Sequence, residues 1–390
     1  MNTKMKTKAS IGIALVVLMV AALAAPVSAD YDADDSKMNI YQQGNGSLSY
    51  TYGTPFYQCI WGTDSAGNSD TATYNIDLSS IPDLAKLIED EDIEARLYVY
   101  WTWSAVDVCD HIKYGVSWGR DYAVYPALEV EFNNQQVPFD YAEGTNWIDH
   151  YTDSKVIAAV GELSYLPDGT QNPNYVSYNF PAGTNCAMIP IDELSQGDNT
   201  VNVTNVHPYT VVNTSYCIGD YSVISPDSGR GYVCIQGVGL LLKYPEVSEC
   251  EHWVAEGNDM TYVYWYKNDW KYDRNPEMAT TKVTFTGKVD EKMSKATLTS
   301  VIPAGNSPYN RLYFNSFYNY WDGLWTGLPN SEGNLAVSET DVFANLCVGD
   351  FDTNVNVAGF QNGLYPPYPP KAGEKQMNVA GAFLVTCKEV

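Results

Sequence analysis

The chain has 390 residues, 47 of them acidic and 22 basic, for a net charge of −25. A field of that sign repels nucleic acid and anionic lipid, so neither is an expected partner, while divalent cations are attracted. With 31 tyrosines and 10 tryptophans, residue types that favour strands and broad contact surfaces, the composition points to an extracellular β-protein rather than an enzyme of metabolism.

Residues 1–29 read as a signal peptide: Lys4, Lys6 and Lys8 precede an apolar run from Ile11 to Ala25, and Val27-Ser28-Ala29 fits a cleavage site. Losing the three lysines takes the net charge from −25 to −28. No second span and no apolar tail follow, so the expectation is an extracellular mature chain without a transmembrane segment. Asn39 to Thr51 reads as strand and turn, with Asn45-Gly46 as the turn signal. Gly53 to Asp77 reads as loop. In it Asp64, Asn68 and Asp70 offer oxygen ligands for calcium, but they complete no calcium motif, and a solvated loop is the preferred reading. Ser80 to Glu91 predicts a short helix with Ser80 as cap and Leu84, Leu87 and Ile88 on one face. The cleanest strand follows. Ala95, Leu97, Val99, Trp101 and Trp103 form a core row, and Arg96, Tyr98 and Tyr100 face outward, towards a loop or another subunit. Near-helical spacing of Ile148, Tyr151, Val156 and Val160 predicts a second short helix over Asn146 to Leu163.

The most apolar segment of the mature chain runs from Arg230 to Glu246, RGYVCIQGVGLLLKYPE. It predicts a central strand covered on both faces and stopped by Pro245. Gly237 and Gly239 let a backbone or a large ring come close. Further strands are expected at Thr280 to Thr286, Ala296 to Ile302 and Met377 to Thr386, and the Tyr365 to Pro370 run reads as a stiff extended segment.

Four motifs recur in order. Ala95–Tyr98, Glu131–Asn134, Asn199–Val203 and Gly237–Leu242 match Ala296–Thr299, Tyr313–Ser316, Thr353–Val357 and Val379–Leu384. The fold predicted is therefore all-β, with tandem β-sandwich or jelly-roll-like lobes from an internal duplication and one or two short helices. The lobes are placed at residues 30–250 and 280–390, with an aromatic-rich connecting segment at 251–279.

Eight cysteines, Cys59, Cys109, Cys186, Cys217, Cys234, Cys250, Cys347 and Cys387, are an even number in an exported chain and predict disulfides of undetermined pairing. Spacings of 17 and 16 residues from Cys217 to Cys234 and from Cys234 to Cys250 suggest local staples around the central strand. His111, His150, His207 and His252 form no metal motif, and no nucleophile elbow, P-loop or dinucleotide fingerprint occurs, so no catalytic residue and no cofactor beyond calcium is expected. Two aromatic groups are candidate glycan- or partner-binding surfaces: Trp253, Tyr264, Trp265 and Trp270, and Tyr320, Trp321 and Trp325, flanked by Tyr318. Core or subunit-interface packing explains the same residues. Asn45, Asn202 and Asn213 begin glycosylation sequons.

The run from Arg230 to Met260, with LLLKYPE followed by HWVAEGNDM, together with ARLYVYW, VEFNNQQV and RLYFNS, resembles a secreted or surface domain family of unknown function from methanogenic archaea, including proteins that form cell sheaths. That resemblance implies a cell-envelope protein and carries over no catalytic residue. The expected function is a structural protein of an extracellular envelope layer or sheath, self-assembling into a homopolymer through β-rich, aromatic interfaces, with other envelope proteins or polysaccharide as further partners. The alternative is a secreted carbohydrate-binding or adhesion protein.

Overall fold

The computed structural model describes residues 38–54, 57–113, 116–123, 126–137, 148–153, 182–207, 230–245, 249–261, 264–266, 271–274, 276, 279–305, 308–326, 335–349, 355–364 and 377–388. Strands are numbered in chain order. Sheet I runs β4 (Thr71–Asp77), β11 (Asp198–Asn205), β7 (Leu128–Phe132), β8 (Gln135–Val137). Sheet II runs β2 (Ser47–Tyr52), β12 (Gly231–Tyr244), β5 (Glu94–Lys113), β10 (Ala182–Ile189), β9 (Ile148–Asp153), with β3 (Gln58–Trp61) also on β12 and β6 (Val116–Ala123) also on β5. Sheet III runs β1 (Asn39–Asn45), β13 (Cys250–Thr261), β22 (Met377–Cys387), β17 (Lys295–Pro303), β20 (Leu335–Asp341). Sheet IV runs β16 (Thr280–Thr286), β21 (Val355–Asn362), β18 (Asn310–Phe314), β19 (Ser316–Asp322). A ribbon of β14 (Tyr264–Tyr266) and β15 (Lys271–Arg274) and one helix, α1 (Leu84–Glu89), complete the elements used below.

Period-two alternation builds the layers. In β4, Ala72, Tyr74 and Ile76 are buried while the residues between them are exposed, and in β7 Leu128, Val130 and Phe132 do the same. These rows meet Leu97, Val99, Trp101, Val238 and Leu240 of sheet II in one core. A second core joins Val283, Phe285, Leu312, Phe314 and Phe360 of sheet IV to Leu298, Val379 and Leu384 of sheet III. The chain is thus all-β, with two sandwiches, I on II and III on IV.

The two lobes repeat one topology. In sheet I the order β4-β11-β7-β8 matches β16-β21-β18-β19 of sheet IV, and β12-β5-β10 of sheet II matches β22-β17-β20 of sheet III. Leu240 pairs with Leu97 as Leu384 pairs with Leu298. Register corrects two of the four sequence matches. Gly237 corresponds to Gly381 rather than Val379, a shift of two that keeps every face. Asn199 corresponds to Asn356 rather than Thr353, an odd shift that turns Val355 and Val357 outward and puts Ala358 and Phe360 in the core.

Sheets II and III pack back to back, giving four layers in the order I, II, III, IV. Tyr98, Tyr100 and Leu241 of sheet II share a buried cluster with Val254, Val301, Ala380 and Phe383 of sheet III. The outward tyrosines of β5 therefore cover the chain's own second lobe. In the same layer Arg96 grips Glu256 with both arms, Nε to Oε2 at 2.9 Å and Nη2 to Oε1 at 2.5 Å, and its guanidinium lies 3.8 Å over the Tyr41 ring. The Tyr98 hydroxyl donates to Glu256 at 2.8 Å, so this buried carboxylate is surrounded by donors. Gly239 makes room for Tyr50: a Cβ there would fall 2.0 Å from the Tyr50 hydroxyl, which hydrogen-bonds Tyr100 at 2.9 Å.

Several local expectations change. The Asn45-Gly46 signal makes no hairpin: β1 pairs with β13 in sheet III and β2 with β12 in sheet II, so Gly46, at φ 109°, steers the chain from one sheet to the other. The span read as loop from Gly53 to Asp77 contains β3 and β4. Helix α1 starts after Asp83 rather than at Ser80, with Leu84 buried. The helix expected over Asn146 to Leu163 is strand β9 across Ile148–Asp153, because pairing to β10 overrides a weak helical spacing; the remainder lies outside the described residues, as do the signal peptide and Tyr365 to Pro370. Within 251–279, residues 251–261 belong to β13, inside sheet III beside β1. Among the described residues no helix is long and apolar enough to cross a membrane.

Candidate functional site

Sheets I and IV each turn one face outward, and the two faces have diverged at equivalent positions. Across sheet I a transverse row reads Thr73, Asn202, Glu131, Gln136. The equivalent row of sheet IV reads Lys282, Gly359, Tyr313, Tyr320. The first row is knitted by its own side chains: the Thr73 hydroxyl donates to Asn202 at 2.8 Å and the Asn202 amide points at Glu131 at 3.4 Å. The second is a bed of rings and cations.

A register shift where β19 begins helps put Phe317 on the outer face, 5.0 Å from Tyr313 edge-on, with the Lys282 ammonium 5.7 Å from its centroid. Arg311 lies 4.0 Å over the Tyr320 ring, and its Nη2 donates to Asp322 at 2.7 Å while Nε donates to the other carboxylate oxygen. That carboxylate raises the already high pKa of Arg311, fixing its charge. The Tyr313 hydroxyl donates to Gln361 at 2.7 Å. Phe317, Tyr318 and Tyr320 are 65%, 92% and 49% exposed, while Leu312 and Phe314 hold the strand beneath them to the core. Flat rings beside fixed polar groups can stack on the apolar face of a sugar and bond its hydroxyls.

The sequence candidates divide accordingly. Tyr320 belongs to this face. Trp321 points inward and is half-buried against the core; Trp325 and Trp253 are buried outright, their indole nitrogens donating to Ser300 and to the Thr286 carbonyl at 2.8 Å each. Those two are packing residues, not platform residues. Tyr264 and Trp265 lie on β14 with side chains outside the description, and Trp270 lies outside the described residues. Phe317 and Arg311 were not singled out by sequence; the signal was the FNSFYNYWD run, where a bulge carries Phe317 across.

The Asp64, Asn68 and Asp70 loop uses its carboxylates internally. Asp64 accepts from the backbone amides of Ala66 and Asn68 at 2.8 Å each, which holds its pKa below the usual range, and Asp70 accepts from Trp61 and Arg230. Of the sequons, Asn45 is exposed at the end of β1, Asn202 faces outward in sheet I, and Asn213 lies outside the described residues.

Two disulfides join directly opposed residues on antiparallel strands, Cys59–Cys234 on β3 and β12 and Cys250–Cys387 on β13 and β22. They replace the local staples expected from spacing. Cys186, buried, and Cys347, half-buried, keep thiols, and the side chains of Cys109 and Cys217 lie outside the description. A cleft of about 620 Å³ opens where the lobes meet beside Cys250, lined by Glu94, Glu249, Glu251, Lys243 and Lys388 among others. Lys243 pairs with Glu94, and Lys388 with Glu249 and Asp290. Burial and the nearby Asp290 push the Glu251 carboxyl up.

Residues 31–386 match the model of a family described as a protein of unknown function, DUF3344. The chain belongs to the DUF3344 family. No curated protein matches this DUF3344 chain. Among solved structures, the ANXUR1 extracellular domain of Arabidopsis thaliana is similar at 10% identity over 93% of this chain and 94% of that one, with a TM-score of 0.20. The uncharacterised protein lmo2446 of Listeria monocytogenes is 11% identical over 86% of this chain and 22% of its own, with a TM-score of 0.19. The C-terminal domain of AspA from Streptococcus pyogenes is 10% identical over 86% and 91%, with a TM-score of 0.16. Scores this low carry no inference about the DUF3344 chain's fold or partners.

Proposed function

We propose that the chain is an extracellular binding or adhesion protein that holds carbohydrate on the outer face of sheet IV, without turning it over. One observation carries the reading. The row equivalent to Thr73, Asn202, Glu131 and Gln136 has become Lys282, Gly359, Tyr313 and Tyr320, so a duplicated scaffold has kept its core and changed one exposed face. Exposed rings on a soluble surface cost solvation unless something covers them. Asp322, the one carboxylate on the four strands of sheet IV, is clamped by Arg311, so those strands themselves present no opposed pair of free acids of the kind sugar hydrolysis uses. The leader-like N-terminus and the cross-strand disulfides support an oxidising location.

A second reading is self-assembly into an envelope layer or sheath. It is favoured by the position of the rings on β19, the edge strand of sheet IV, where a second copy has access to both rings and backbone. Titration of soluble glycans and pull-down on insoluble ones, with Tyr318→Ala and Tyr320→Ala, separates the two. Glycan binding weakened at least fivefold by either substitution supports the first reading. Concentration-dependent polymers abolished by the same substitutions, with no glycan bound, support the second.

A further inference from the structure

We propose that the saccharide held on sheet IV is acidic, and that Lys282 receives its anionic substituent, a uronate carboxylate or a sulfate ester. This rests on the carbohydrate reading and narrows it. Among the described residues the other cations that are not fully exposed are paired: Arg96 holds Glu256, Arg230 holds Asp70, Lys243 holds Glu94, Arg311 holds Asp322, and Lys388 holds Glu249 and Asp290. Lys282 is the exception. It is half-buried on the outer side of β16, its ammonium stands beside the Phe317 ring, and among the described residues no carboxylate pairs with it. Burial lowers its pKa, the mark of a cation that has lost water without gaining a counter-charge. In a chain with 47 acids such a cation is easily neutralised, yet here it is not.

The surroundings fit an anion bound at the end of a sugar chain. Lys282 heads the row that continues through Gly359, Tyr313 and Tyr320, across three strand spacings or about 14 Å, the reach of a short oligosaccharide. Gly359 puts no side chain between Lys282 and Tyr313. The long-range field of the protein opposes a polyanion, but it is screened beyond about 8 Å at physiological salt, so contact is decided locally. On sheet IV the local charges are Lys282 and the neutralised Arg311–Asp322 pair. The equivalent face of sheet I carries Asp77, Asp198, Glu129 and Glu131 and no cation on its strands. Only the second lobe suits the ligand.

The test uses the oxidised full-length chain and matched polymers: polygalacturonate against its methyl ester, and dextran sulfate against dextran. The expectation is at least tenfold tighter binding of one charged form over its neutral partner. Which pair shows it distinguishes carboxylate from sulfate. Lys282→Gln abolishes the preference for the charged polymer without moving the thermal midpoint, and Lys282→Arg retains it. Equal affinity for charged and neutral forms, or a preference that survives Lys282→Gln, overturns this inference and leaves carbohydrate binding standing. No binding to any glycan overturns both.

Discussion

Asn133 and Asn315 hold the same place in the two lobes. Each sits in the left-handed region, at φ 49° and 59°, just after β7 and β18. Asn133 Nδ2 donates to Asn199 at 2.8 Å and to the Glu193 carbonyl, and its Oδ1 accepts from the Thr200 amide. Asn315 repeats all three with Asn356, the Asn345 carbonyl and the Val357 amide. Asn199 and Asn356 in turn clamp Ser195 and Cys347 through both backbone groups. One bracket thus fixes the strand end, the loop and the neighbouring strand in both halves.

Asn133→Ala and Asn315→Ala each lose those bonds and place a Cβ-bearing side chain without compensation in the left-handed region. The cost expected from strain plus orphaned amides is about 2–4 kcal/mol per site. Glycine at either position recovers the strain part alone. Urea midpoints measure this, and a loss below about 1 kcal/mol at either site would show that the bracket does not hold the lobe.

The Arg96–Glu256 pair joins sheet II to sheet III in a buried layer. Arg96→Met or Glu256→Gln removes the opposite charge that its buried partner meets here and is expected to cost about 3–5 kcal/mol, whereas the double variant costs well under the sum. Because the lobes share that layer, one cooperative transition is expected for the parent chain. Two separate calorimetric transitions would contradict it.

Cys59 is exposed and Cys234 buried, although they form one bridge. Either serine replacement removes about 2–5 kcal/mol of cross-link stabilisation. Cys234→Ser adds a hydroxyl to the interior and is expected to melt lower than Cys59→Ser; equal thermal midpoints would remove that ranking. Alkylation of the native chain without reductant is expected to label Cys347 before Cys186, following their burial.

His252 is buried under β1 with Nδ1 3.1 Å from the Gly46 carbonyl, and burial lowers its pKa from 6.5, with Lys243 adding to the shift and Glu94 opposing it. Below pH 6.5 the unfolded chain takes up a proton that the folded chain refuses, so this contribution is intact above that pH and is lost as pH falls. Urea midpoints are expected to drop on acidification through that window, and His252→Gln to flatten the drop. An unchanged slope in the variant would locate the effect elsewhere.

Period-two patterning and composition were sufficient for much of this. The alternation from Ala95 to Trp101 and the apolar run Gly231 to Tyr244 state the class and the central strand, because side-chain polarity along one strand records which face is covered. The glycines there left room for a backbone or a large ring, and at Gly239 the Tyr50 ring takes it. The repeated motifs announced two lobes. Ala72, Tyr74 and Ile76 alternate just as clearly, but they stand in a segment rich in Gly, Ser, Thr and Asp, a composition that reads as loop.

What sequence left open depends on partners far away in the chain. A Val-Asn-Val match chose the wrong register for β21, since local similarity does not say which face a valine meets and an odd shift inverts it. Tyr98 and Tyr100 read as outward because nothing local shows that sheet III lies against them. Trp253, Trp325 and Tyr320 look alike as aromatic candidates; only packing buries the first two and exposes the third. Cysteine spacing suggested neighbours, whereas strand pairing joined Cys59 to Cys234 across 175 residues. The sequence alone determined the all-β class, the central strands β5 and β12, the repeat and the chemistry available. The tertiary structure decided which rows became core, which joined the lobes and which stayed open, because burial is set by what packs on a face and not by the residues that form it.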